Sequence, residues 1–140
     1  MNIGSVFRTA DCFLAEKIMI CGQSAFPPDK EILKTALGAT ESVDWEYHRD
    51  TRTVLESLKI KGYAVYAVEQ CEASQAPDAF VPPDGPFALV FGHEVRGVDK
   101  SLSDLMDGCI EIPQSGTKHS LNVSVAAGIV LWEMYRKLRP

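Results

Sequence analysis

Short apolar runs alternate with helical stretches along most of the chain, and this alternation is the strongest constraint on its fold. Lys17-Ile18-Met19-Ile20-Cys21 reads as a strand stopped by Gly22. Pro27-Pro28-Asp29 opens a helix predicted to run to about Leu37, with Gly38 as its stop. Val43 to Tyr47 reads as a short strand. Asp50 or Thr51 caps a further helix whose apolar positions Val54, Leu55 and Leu58 share one face, and Gly62 ends it. Tyr63 to Val68 and Phe87 to Phe91 read as buried strands, the second rich in residues that suit a sheet core. Asp99 to Met106 is predicted as a short helix, Cys109 to Ile112 as a strand closed by Pro113, and Asn122 to Leu138 as a long closing helix. Strand and helix in turn specify an α/β domain whose parallel sheet is covered on both faces.

The 140 residues fit one domain, with 46% apolar and 24% charged residues in the globular range. The longest apolar stretch, Val123 to Trp132, is broken by Ser124 and is too short to span a bilayer. Met1 leads straight into Asn2-Ile3-Gly4 with no secretory pattern, so a cytoplasmic location is expected. Cys12, Cys21, Cys71 and Cys109 lie far apart without a C-x-x-C pair, which predicts buried free thiols rather than a zinc site. The proline-rich stretch Ala76 to Pro86 reads as a long surface loop within the domain. The closing helix is apolar nearly all round, more than a small domain buries alone, so a homodimer is expected. The net charge of −5 confines any nucleic-acid contact to local cations, for which Arg8, Arg96, Lys118, Arg136, Lys137 and Arg139 are the candidates.

Ligands of open parallel sheets bind beyond the carboxyl ends of the strands. Two loops there carry most of the glycine-flanked polar residues: Gly92-His93-Glu94-Val95-Arg96-Gly97, and Pro113 through Asn122. The second ends at a helix start, where free N–H groups favour a polar or anionic ligand. Neither matches a G-x-x-x-x-G-K-[ST] or G-x-G-x-x-G cradle, which argues against an ATPase or a dinucleotide enzyme. His93 and His119 have no carboxylate partner pattern, so no metal is expected. Ser120 lacks the G-x-S-x-G elbow of a serine hydrolase, and capping accounts equally for Ser120 or Asn122.

Three blocks together resemble the TrmH/SpoU family of RNA ribose methyltransferases. They are Asn2-Ile3-Gly4-Ser5-Val6-Phe7-Arg8-Thr9-Ala10; Leu89 to Glu94 with Arg96-Gly97-Val98; and Ile112-Pro113-Gln114 through Gly116, then Ser120 to Ala126. The resemblance covers nearly the whole chain in the family's order. It implies a parallel sheet with a C-terminal deep trefoil knot, a homodimer, and S-adenosylmethionine held against Val68, Gly92, Ile112, Ser120 and Leu121. It also implies methyl transfer to a ribose 2′-hydroxyl of tRNA or rRNA, with Asn2, Arg8, Glu94, Ser120 and Asn122 at the reacting centre. A guanidinium almost never gives up its proton, so Arg8 is assigned to grip a neighbouring RNA phosphate.

Two positions depart from the family pattern. Residue 93 is His where the family usually has Asn, and Met1 abuts Asn2 where the family has a buried strand. Either the true start lies upstream, or the sheet lacks its usual first strand and exposes an edge. A dimeric RNA- or cofactor-binding relative without turnover is the rival reading; a flavodoxin-like module would want acidic residues clustered at early strand ends.

Overall fold

The computed structural model describes residues 3–93, 96–117 and 121–139. In chain order the elements are α1 (Ile3–Cys12), β1 (Lys17–Cys21), α2 (Lys30–Ala36), α3 (Ala39–Ser42), β2 (Asp44–His48), α4 (Thr51–Ile60) and β3 (Ala64–Val68). β4 (Phe87–Phe91), a 3-10 helix (Lys100–Leu105), β5 (Gly108–Ile110) and α5 (Val123–Leu138) complete the order. Local chemistry sets these bounds. Asp29 Oδ1 accepts from the N–H groups of Glu31 and Ile32 at 2.9 and 3.2 Å, and so caps α2. Leu37 at φ +50° and Gly38 at φ +89° then turn the chain out of the helix, where only glycine adopts the left-handed region freely. Asp50 caps α4 through Arg52 N–H, as the sequence pattern predicts.

All pairings between the strands are parallel, but they form two sheets rather than the single one expected: β1–β2, and β4–β3–β5. Among the described residues β1 pairs only with β2, and β4 only with β3. The sheets are joined through side chains instead of a ladder. Met19 and Cys21 of β1 and Ala88 and Val90 of β4 pack against one cluster with Val54, Leu55 and Leu58 of α4 and Val65 and Ala67 of β3. Burial in that cluster pushes the Cys21 thiol pKa up, as desolvation disfavours its thiolate. No residue of β2 joins the cluster, so β1 is the strand of its sheet that meets it.

Glu69 N–H extends the β3–β5 ladder by donating to Ile110 O at 3.0 Å. The far edge of β5 is covered by the loop after β3, where Gln75 N–H donates to Cys109 O at 3.0 Å and Glu111 N–H returns to Gln75 O at 2.8 Å. Cys71 and Cys109 are joined as a disulfide with Cα atoms 6.5 Å apart, which corrects the expectation of free thiols for this pair. Their 38-residue separation hid a proximity that the parallel register of β3 and β5 creates. Cys12 and Cys21 are free.

α1, which the sequence reading passed over, organises the first half of the domain. Its Ile3, Phe7 and Ala10 are buried with Ile32 and Ala36 of α2 and with Ala39 and Val43. A Cβ on Gly4 would stand 2.6 Å from Ile32 O and 2.9 Å from Ala36 N, so only glycine lets the two helices approach this closely. α5 buries Val123, Ala127, Val130 and Met134 along one face, at roughly 2 kcal/mol for each larger side chain. Val125, Ile129 and Trp132 stay exposed on another face. Lys137 Nζ ties the helix end to the proline-rich loop by donating to the carbonyls of Pro77 at 2.6 Å, Asp78 at 3.0 Å and Phe80. Among the described residues no helix is long and apolar enough to cross a membrane, and no cluster of possible metal ligands occurs.

Asp107 fastens β3 to α4: its Oδ2 accepts from Val65 N–H at 2.7 Å and from Lys59 Nζ at 2.6 Å. The Lys59 ammonium foremost, with the Val65 amide, holds this carboxyl below its ordinary pKa. A depressed carboxylate pKa contributes stability above the unfolded value, which is lost as pH falls through the folded one. Asp107→Ala is expected to cost about 1–2 kcal/mol, mainly from the orphaned Val65 amide because the exposed ion pair adds little. Urea melts at pH 7 and pH 3 check this; the gap between native and variant narrows in acid.

Candidate active site

The register of β3 brings together three of the predicted cofactor positions. Val68, the last residue of β3, is paired with Phe91 on one side and with Ile110 on the other. Gly92 follows Phe91 directly, and Ile112 lies two residues beyond Ile110. Adjacent strands are about 4.8 Å apart, so Val68, Gly92 and Ile112 leave the same edge of the sheet within two strand spacings. Val68, Phe91 and Ile112 also share one apolar cluster with Ile110 and Val130.

Two further predicted positions lie on the helices. A Cβ on Gly128 of α5 would lie 4.0 Å from Thr9 Cγ2 of α1. The Phe13 ring lies 5.7 Å from that of Trp132 and 5.8 Å from that of Tyr135. Contacts therefore advance in the same direction along both helices, which run parallel. Arg8 is exposed on α1 and has no hydrogen-bond or ion-pair partner among the described residues. Asn122 is the N-cap of α5, its Oδ1 accepting from Ser124 N–H at 2.9 Å and Ser124 Oγ–H at 2.6 Å. Leu121 is half-buried just before the cap. Asn2, Glu94 and Ser120 lie outside the described residues, as does Lys118.

The loop after β4 turns back on itself. His93 N–H donates to Gly97 O at 3.0 Å, Gly97 N–H returns to His93 O at 2.8 Å, and Arg96 N–H reaches His93 Nδ1 at 3.4 Å. A Cβ on Gly92 would stand 2.1 Å from Gly97 C and 2.2 Å from Val98 N, so the returning limb packs where any side chain would go. Gly97 adopts φ +70°. Both glycines of the second sequence block are thus required by backbone geometry. Glu69 Oε1 accepts from Val98 N–H at 3.2 Å, linking the loop after β3 to the loop after β4. Sequence reasoning passed over Glu69; its place directly after a predicted strand end was the available signal. The Asp99 carboxyl next along is held below the usual carboxylate range by the Ser101 amide that it caps at 3.0 Å.

The third loop offers a different surface. Among the described residues no backbone hydrogen bond is made by residues 112–117, and Ile112 is half-buried. An apolar wall beside backbone polar groups suits a nucleoside, whose base stacks on side chains while its edge and ribose hydrogen-bond. A cleft of about 670 Å³ opens beside this edge, lined among others by Glu69, Gln70, Cys71, Gln75, Val98 and Asp99. A more open hollow of about 380 Å³ is lined by Arg49, Asp50, Thr51, Arg52, Asp99 and Ser101. Gly92, Ile112 and Leu121 line neither; the loops leaving the first two run through residues 94–95 and 118–120, outside the described set.

The basic tail has other work. Arg136 pairs with Glu133 at 2.8 Å, Lys137 is held by three carbonyls, and Arg139 lies 5.8 and 5.6 Å from the ring centroids of Trp132 and Tyr135. Of the cations singled out for nucleic acid, Arg8 and Arg96 are the described ones outside that tail, and both are exposed.

The sequence matches the model of the SpoU rRNA Methylase family over residues 1–132. It is 34% identical over 141 residues to the TrmH family protein YacO of Bacillus subtilis (strain 168), covering 99% of this chain and 55% of the relative. The chain thus spans about half the length of the curated relatives it matches. An AdoMet-bound rRNA methyltransferase from Sinorhizobium meliloti superposes with a TM-score of 0.91 at 27% identity, covering 99% of this chain and 52% of that one. A structure described as "Structural insights into the 2-OH methylation of C/U34 on tRNA" superposes with a TM-score of 0.83 at 26% identity, covering 98% of this chain and 88% of that one. The match over most of the sequence, with the shared parallel α/β architecture, places this chain in the TrmH/SpoU family of RNA methyltransferases.

Proposed function

We propose that the chain transfers a methyl group from S-adenosylmethionine to a ribose 2′-hydroxyl of tRNA or rRNA. The observation that carries this reading is the convergence of Val68, Gly92 and Ile112 on one sheet edge, to which the reading adds exposed Arg8 of α1 and the Asn122 cap of α5. The AdoMet complex of the Sinorhizobium relative and the tRNA methylation described for the other neighbour support it.

When bound, S-adenosylmethionine supplies a methyl carbon made electrophilic by its sulfonium. Val68, Ile112 and Leu121 provide an apolar bed for the adenosyl group, and the backbone from Gly92 and Ile112 onward provides its hydrogen bonds. The attacking 2′-oxygen forms the new O–C bond in line with the departing sulfur, and its proton passes to a phosphate oxygen or water. Arg8 holds the adjoining phosphate as a permanent cation, fixing the ribose. Asn122 stiffens the start of α5 beside the site. Asn2, Glu94 and Ser120 are assigned to orient ribose and loops on the family resemblance alone.

The same reading includes a trefoil-knotted C-terminal segment, a cytoplasmic homodimer, and a sheet short of one strand. The free edges of β1 and β4 support the last of these. The stripe Val125, Ile129 and Trp132, 50%, 37% and 42% exposed, supports a second subunit packed on α5. A dimeric binding relative without turnover is the second reading, favoured by those unpaired edges and the net charge of −5.

S-adenosylmethionine at about a hundredfold over its Kd is expected to stabilise the fold by roughly 2.7 kcal/mol in thermal melts. Labelled-methyl transfer to bulk RNA is expected to fall by at least about tenfold in Arg8→Ala, with cofactor binding retained. Cofactor binding by the native chain without transfer to any RNA would leave the binding-protein reading. Trp132→Glu is expected to convert a dimer to a monomer by light scattering; a native monomer contradicts the interface.

A further inference from the structure

We propose that Glu69 is a positioning residue of this site, whose carboxylate latches the loop after β4 and so sets the shape of the cofactor bed; the proposal rests on the adenosylmethionine reading above. The 93–97 turn is closed on itself by its paired His93 and Gly97 backbone bonds. Its described limbs on the sheet side are Gly92 and Val98. The outgoing limb has no side chain to pack. The returning limb is held by Glu69, whose Oε1 accepts from Val98 N–H at 3.2 Å and lies 2.9 Å from the position of a Cβ on Gly97. Glu69 thereby fills the space beside the turn as well as bonding it.

A latch works only from a stiff base, and Glu69 has one. Its own N–H donates to Ile110 O at 3.0 Å, and Val68 before it is paired on both sides. Beyond it the loop is fastened by the Cys71–Cys109 disulfide. One residue therefore couples the three strand ends at which Val68, Gly92 and Ile112 lie, through its carboxylate and its own N–H. An ordinary solvated glutamate at a strand end would make no such connection. Removing the acceptor leaves the Val98 amide unpaired and lets the Gly92–Val98 turn shift away from the cofactor bed. Glutamine keeps a carbonyl oxygen of nearly the same reach, so the latch needs an acceptor rather than a charge.

The test compares Glu69→Ala, Glu69→Gln and, as a control in the same loop, Ser74→Ala. Glu69→Ala is expected to raise both the Kd and the KM for S-adenosylmethionine about tenfold, with kcat at saturating cofactor within about threefold of native. Glu69→Gln and Ser74→Ala are expected to stay within about threefold of native on all three. Hydrogen exchange of the Val98 amide without ligand is expected to quicken in Glu69→Ala alone. A merely structural glutamate would lower the melting temperature while leaving KM in place, and that result overturns the proposal. Equal damage from glutamine and alanine, or unchanged Val98 exchange in the alanine variant, overturns it as well. Failure of the native chain to bind S-adenosylmethionine sinks the cofactor reading and the site role with it, whereas the exchange measurement still judges the latch.

Discussion

Parallel pairing on both sides of β3 fixes the level at which three loops leave the sheet. Because Val68 is held opposite both Phe91 and Ile110, neither flanking strand can slip without turning its apolar face to the wrong side. Val65 and Ala67 point into the cluster under α4, and Tyr66 and Val68 into the cluster that includes Val130 and Met134 of α5. Register and burial thus reinforce each other, and loops of unrelated sequence emerge side by side. Chemistry that needs a base, a ribose and a phosphate held at once depends on this coincidence of strand ends more than on any single residue.

Much of this was legible from residue order. Asp29, Asp50 and Asp99 cap helices where the pattern placed starts, Phe87 to Phe91 is a strand to the residue, and α5 begins after its Asn122 cap. Other features depend on contacts remote in sequence. α1 was passed over although Ile3, Val6, Phe7 and Ala10 recur at helical spacing; what no local pattern reports is its close approach to α2 at Gly4. The final strand stops at Ile110 rather than Ile112 because Glu111 turns its N–H to Gln75, away from a further β3 partner. The Asp99–Met106 segment coils as a 3-10 helix, too short for the packing that stabilises α-helical turns. The split of the sheet was foreshadowed only by the exposed-edge expectation, since no local pattern reports which strands are neighbours. In the site, Gly92 and Gly97 were read as backbone-enabling glycines, and the geometry gives each a reason; Glu69 was missed because its partner is a backbone amide 29 residues away.

The acidic composition, awkward for a protein that handles RNA, becomes easier to reconcile with the fold. The tail cations serve the protein itself: Lys137 satisfies the carbonyls of the proline-rich loop, and Arg139 lies over aromatic rings. Several acidic groups are likewise spent on structure, with Asp104 paired to Arg52, Asp107 to Lys59, and Glu46 to Lys17 and His48. Those contacts take Glu46 down to about 2. Net charge therefore says little about the local field, and Arg8 and Arg96 are exposed.

The central claim is that the loops after β3, β4 and β5 form one nucleoside site. Amide chemical-shift mapping with S-adenosylhomocysteine tests it most directly, because it reports every loop in one titration. Saturable shifts clustered at Val68, Gly92, Ile112 and Leu121, with Arg52 and Asp104 unmoved, are the predicted result. Shifts gathered around Arg49 to Arg52, or none at millimolar ligand, would contradict the account.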